Sequence, residues 1–143
     1  MLQERPWIGL DVGERRIGIA VSDSLGLTAQ PYSVLQRRNL ESDLSALVQL
    51  AAERNAHGFV LGLPRRTGGE EGPEVAKIKE FGRLLQQQSQ LPVEWYDERF
   101  STVIAERALQ EQGIRGRARR QRVDQVAAAI ILQDFLDRRR KHV

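Results

Sequence analysis

The sequence predicts a mixed α/β fold with a five-stranded sheet, its first three strands antiparallel and the rest parallel, flanked by helices. Three observations carry that reading. The apolar runs Trp7-Ile8-Gly9-Leu10-Asp11-Val12 and Arg16-Ile17-Gly18-Ile19-Ala20-Val21-Ser22 are separated only by Gly13-Glu14-Arg15, and runs that close form an antiparallel hairpin. Later apolar runs alternate with helical patterns, and helical crossovers join parallel strands. Finally, no repeat, low-complexity tract or linker divides the 143 residues, a length that supports one core. Residues 1–143 are therefore read as a single domain.

Each element has its own signal. Residues 7–12 and 16–22 are the hairpin, and Tyr32-Ser33-Val34-Leu35 is expected as a third short strand. Asn39 is placed to cap a helix whose apolar positions are Leu40, Leu44, Leu47, Val48 and Ala51, ending near Asn55. His57 to Leu63 is the next buried strand, stopped by Pro64. A polar, glycine-bearing loop spans 64–72, and Pro73 suits the first turn of a helix with Val75, Ile78, Gly82 and Leu85 inward. Val93-Glu94-Trp95-Tyr96 is the fifth strand. Ser101 caps a helix expected to stop at Gly113, with Ile114 folding back over its end. The last helix is expected from about Arg117 to Arg139.

Composition excludes several chemistries. With no cysteine and only His57 and His142, disulfides, thiolate sites, cysteine nucleophiles and histidine-rich metal sites are out. A metal here must be held by oxygen, which favours magnesium or manganese. No apolar run approaches the roughly 20 residues that span a bilayer, and the N-terminus lacks a charged-then-apolar leader. A cytoplasmic protein without a membrane partner is expected.

Three carboxylates stand out by position. Asp11 closes the first apolar run, and Glu98 follows the run 91–97. At 100° per residue, Asp124 shares a helix face with Ala128, Ile131 and Phe135. A carboxylate on a core-facing stripe is costly unless paired or bound to a cation. If the three converge, they describe a site for hard divalent ions. Each alone has a plainer explanation: Asp11 as a turn residue, Glu98 as a surface partner of Arg99 or Arg107, Asp124 as the partner of Arg120 one turn earlier.

Charge is uneven along the chain. Residues 1–98 hold 11 basic and 14 acidic side chains, whereas residues 99–143 hold 11 basic and 5 acidic. Arg115, Arg117, Arg119, Arg120 and Arg122 directly precede Asp124. Guanidinium binds phosphate bidentately, so this cluster is a candidate nucleic-acid contact. A solvated helix start is the plainer reading.

Leu10-Asp11-Val12-Gly13 with Arg16-Ile17-Gly18-Ile19-Ala20, then Gly62-Leu63-Pro64, Asp97-Glu98-Arg99-Phe100-Ser101-Thr102 and Val123-Asp124-Gln125-Val126-Ala127-Ala128 together resemble the YqgF (RuvX) family. The resemblance runs from about Trp7 to Asp137. It implies an RNase H-like fold and a nuclease that trims the 5′ end of precursor 16S ribosomal RNA in ribosome biogenesis. It also implies Asp11, Glu98 and Asp124 as catalytic acids holding two magnesium or manganese ions. Phosphodiester hydrolysis by two metals needs such bridging and flanking carboxylates. Arg65, Arg66 and Arg99 join the arginine cluster as candidate contacts to nucleic acid. Arg65-Arg66 departs from the family loop, which often has a neutral residue and Asn there.

Two alternatives stay open. Holliday-junction resolution on branched DNA would require two coordinated cuts and hence a two-fold dimer; the sequence leaves monomer and homodimer equally open. A non-catalytic nucleic-acid-binding module is the other, and three intact carboxylates argue against it.

Overall fold

The computed structural model describes residues 4–64, 72–98 and 116–141, with side chains of the last segment described over 123–140. The helix expected over 101–113, most of the loop after Pro64, and Arg65, Arg66, Arg99 and Arg115 lie outside the described residues. So do the side chains of Arg117, Arg119, Arg120 and Arg122.

The strands are β1 (Trp7–Val12), β2 (Arg16–Ser22), β3 (Ala29–Gln36), β4 (Gly58–Leu63) and β5 (Val93–Asp97). They form one sheet in the order β3-β2-β1-β4-β5. β1 pairs antiparallel with β2, and β2 with β3. β4 pairs parallel with β1 and with β5. Two helices supply the crossovers, α1 (Leu40–Arg54) and α2 (Pro73–Ser89), and a third, α3 (Gly116–Lys141), follows β5 in sequence. The mixed five-stranded sheet is the one expected.

β3 is longer than expected because register, not hydrophobicity, defines it. Arg16 to Ser22 find partners from Gln36 back to Ala29, across an irregularity between Ile19 and Ala20. An edge strand exposed on much of its length shows no apolar alternation to read.

Helix α1 begins where Asn39 accepts a hydrogen bond from the Ser42 amide at 2.8 Å, which satisfies a free helix-end donor. It ends on Asn55 in the left-handed conformation. Asp43 is buried in its first turn, accepting from Arg37 Nε at 3.1 Å and from the Arg38 amide at 3.1 Å. Leu40, expected inside, is 46% exposed, and Leu50 is buried instead. Helix α2 has Pro73 in its first turn and buries Val75, Ile78, Phe81, Gly82 and Leu85.

Successive side chains of a strand point to opposite faces, and here the faces differ in kind. Ile8, Leu10, Ile17, Ile19, Phe59, Leu61 and Leu63 pack with α1 and α2. On the other face Trp7, Ala20, Val60 and Tyr96 pack with Ala128, Ile131, Leu132 and Leu136 of α3. Between these residues the strands carry glycine where the helix comes nearest. A Cβ on Gly9 would lie 2.8 Å from Leu132 Cβ, and one on Gly18 only 2.0 Å from the Asp124 carbonyl oxygen. Helix α3 therefore rides directly on the sheet backbone.

Candidate active site

Strand parity aims Asp11 at α3. Trp7 and Gly9 lie on the α3 face of β1, and Asp11 continues their alternation, opposite Gly18 of β2. Glu98 follows the last residue of β5, two positions beyond Tyr96, which is buried under α3. Gly62 makes room for it, because a Cβ at that position would sit 2.7 Å from Glu98 Oε1. Asp124 is brought down onto the same face by the contact of its backbone with Gly18.

Asp11 stands between the other two acids, hydrogen-bonded to Glu98 and within reach of the charge of Asp124. Burial raises the pKa of Asp11, and the charge of Asp124 raises it further, while a hydrogen bond with Glu98 opposes the rise. Glu98 is pushed up to about 9, first by burial, then by the charge of Asp11 and their hydrogen bond, with Asp97 adding to it. Two carboxyls joined by a hydrogen bond cannot both be fully ionised at ordinary pH without cost, and burial raises both Asp11 and Glu98. Asp124 takes a different counter-charge: Arg16 Nε donates to Asp124 Oδ2 at 2.8 Å. The site thus sets one guanidinium against three carboxylates, two of which are raised by burial.

All three acids singled out in the sequence meet in one place. The described bond of Asp124 is to Arg16 on β2; the side chain of Arg120, the partner weighed from the sequence, lies outside the described residues. Arg16 was not singled out as a site residue. Its signal was parity, since positions 16, 18, 20 and 22 alternate onto the face that α3 covers. Gly18 and Gly62 carried a second signal, because a glycine inside a strand often marks close approach of another backbone.

The site fits a hard divalent cation in its donor chemistry. Buried like-charged carboxylates that retain a proton gain most from a cation that replaces it. Among the described residues no three acidic or histidine groups already stand at metal-holding spacing. Asp124 is turned to Arg16, and Asp11 and Glu98 to each other.

Comparison with known proteins agrees with the fold. A family model described as "RuvX: Holliday junction resolvase" matches residues 5–138. The chain belongs to the RuvX family. A Moorella thermoacetica protein named "Putative pre-16S rRNA nuclease" is 48% identical to it over 131 residues, covering 92% of this chain and 94% of that one. A Syntrophomonas wolfei protein of the same name is 46% identical over 130 residues, covering 91% and 92%. Among solved structures, T. thermophilus RuvC in complex with a Holliday junction substrate superposes with a TM-score of 0.61 at 14% identity, covering 96% of each chain. Fowlpox virus resolvase, with its Holliday junction DNA, gives 0.54 at 13% identity, covering 93% and 97%. At such identities the likeness establishes the RNase H-like fold, and this RuvX family member shares it.

Proposed function

We propose that this RuvX family member is a divalent-metal-dependent nuclease that processes the 5′ end of precursor 16S ribosomal RNA in the cytoplasm, with residues 1–143 acting as one domain. The observation that carries the reading is the placement of Asp11, Glu98 and Asp124 on the α3 face of the sheet, Asp11 hydrogen-bonded to Glu98 and near enough to Asp124 to feel its charge. The names of relatives at 46–48% identity over more than nine-tenths of the chain favour ribosomal RNA as substrate. Among the described residues, no helix is long and apolar enough to cross a membrane.

Asp11 would hold cations from the end of β1, Glu98 from beyond β5, and Asp124 from α3. Magnesium or manganese held there would supply Lewis-acid stabilisation of the scissile phosphate and help activate water. The protein's own contribution is placement. The sheet fixes Asp11, Gly18 and Gly62 set the depth of the helix and of Glu98, and the packed α3 stripe keeps the acids together. Arg65, Arg66, Arg99, Arg115, Arg117, Arg119, Arg120 and Arg122 are assigned to the phosphate backbone.

The decisive experiment compares cleavage of precursor 16S ribosomal RNA and of a four-way DNA junction, with magnesium and with manganese. Cleavage of the RNA that needs the metal and disappears in Asp11→Asn is the expected result. Cleavage of the junction alone would favour the second reading, Holliday-junction resolution, which the family's description supports. Binding of RNA without cleavage under any metal would make the chain a binding module.

A further inference from the structure

Arg16 is placed with unusual care for a residue at the start of a strand. Its carbonyl oxygen accepts the Gly13 amide at 2.9 Å, closing the tight turn after β1. A Cβ on Gly13 would lie 2.9 Å from that same oxygen, so the turn is built around Arg16. Its neighbour Ile17 pairs with Val12 beside Asp11. The side chain then reaches α3, where Nε bonds Asp124 at 2.8 Å with both groups mostly shielded, 28% and 20% exposed. The pair joins residues 108 positions apart.

A guanidinium cannot leave such a pair by losing its proton at any ordinary pH. It leaves only by moving away. Arg16 holds Asp124 Oδ2, so a metal ion that takes that oxygen displaces the guanidinium, and one at the other oxygen must share the carboxylate's single charge with it. We propose that Arg16 is a built-in counter-cation of Asp124, which an incoming divalent ion must displace, and that it thereby sets how tightly the site holds metal. The inference rests on the metal-dependent reading above. It makes Arg16 a positioning residue, acting through Asp124.

The opposite role gives the opposite sign. If Arg16 merely oriented Asp124 for coordination, removing it would weaken metal binding. If it competes, removing it strengthens binding.

The test is manganese titration by calorimetry on the full chain, comparing wild type with Arg16→Met, Arg16→Lys and Asp124→Asn, and with Arg16→Met combined with Asp124→Asn. Loss of one charged hydrogen bond from the metal-free state should tighten manganese binding by roughly tenfold or more in Arg16→Met. Arg16→Lys keeps the charge and should bind close to wild type. In the Asp124→Asn background the Arg16→Met gain should vanish. If Arg16→Met does not fold, Arg16→Gln removes the charge and should show a smaller gain, because its amide can still donate to Asp124. Equal or weaker binding in the uncharged variants overturns the proposal while leaving the metal-dependent reading intact. So does a gain that persists without Asp124. A wild type that binds no manganese overturns the metal-dependent reading, and this inference with it.

Discussion

The two faces of the sheet are built from the same strands and do opposite things. Toward α1 and α2, β1 and β4 present Ile8, Leu10, Phe59 and Leu61, all fully buried. Toward α3 the same strands present Gly9, Asp11, Val60 and Gly62, and the helix settles onto backbone. One face gains its stability from apolar burial, at about 25 cal/mol per Å². The other gives up side-chain volume to bring three carboxylates together. A period of two lets one strand serve both ends at once, so a single residue change acts on one face and spares the other.

The largest expected effect breaks the α3 face at its charge. Asp11→Asn should lower the rate of RNA cleavage by roughly a thousandfold or more, since several kcal/mol of transition-state stabilisation pass through such a ligand. Its melting temperature without metal should equal or exceed that of the wild type, because a buried charge is gone. Single-turnover kinetics and calorimetry check both halves, and wild-type rates in the variant would remove Asp11 from the chemistry.

Next comes the opposite face. Phe59→Ala should cost about 3–5 kcal/mol of stability by leaving a cavity, yet the folded fraction should cleave at the normal rate. Urea unfolding paired with activity at low temperature makes the comparison. A rate that falls with the stability would mean the faces are coupled.

Smaller in stability, but felt on both counts, is Gly18→Ala. The added Cβ meets the Asp124 carbonyl oxygen at 2.0 Å, so α3 must lift. A loss of about 1–3 kcal/mol is expected, with cleavage reduced by more than the loss of folded protein explains. Unchanged activity in a stable variant would show that α3 can shift without disturbing the site.

The subtlest signature is a slope. In the folded chain Glu98 keeps its proton up to about pH 9, while in the unfolded chain it releases it in the ordinary carboxylate range. Folding therefore takes up a proton between those limits, and stability should fall as pH rises through the window. Glu98→Gln cannot titrate and should flatten this part of the profile, gaining most on the alkaline side. Melting temperatures from pH 5 to 9 in a chelator test it; parallel profiles for variant and wild type would refute the raised pKa of Glu98.

Much of this was legible in the sequence, and what was missed has a common cause. The ends of α1 were readable because Asn39 and Asn55 act on their own neighbours. Asp11 and Asp124 betrayed themselves as charges on apolar patterns, a purely local contradiction. The Arg16–Asp124 pair was not legible, because it depends on which strand lies under α3 and at what depth. The full length of β3 was hidden for the same reason, since its ends are set by pairing with β2. Leu40 misled because helical periodicity says which side a residue lies on, not how far its neighbours cover it, and in the first turn it stays 46% exposed.

The contact between β2 and α3 also has a meaning in time. Contacts between residues far apart in sequence repay their loop-closure entropy late, and Arg16 and Asp124 are 108 residues apart. The hairpin of β1 and β2 can form from neighbouring residues as soon as both are made, but the acidic cluster cannot. During synthesis, which proceeds from the N-terminus, Asp11 waits on its strand until the segment carrying Asp124 has been made. The acidic cluster is thus among the last parts of the fold to assemble, and nothing can meet all three acids before the chain through Asp124 has been made.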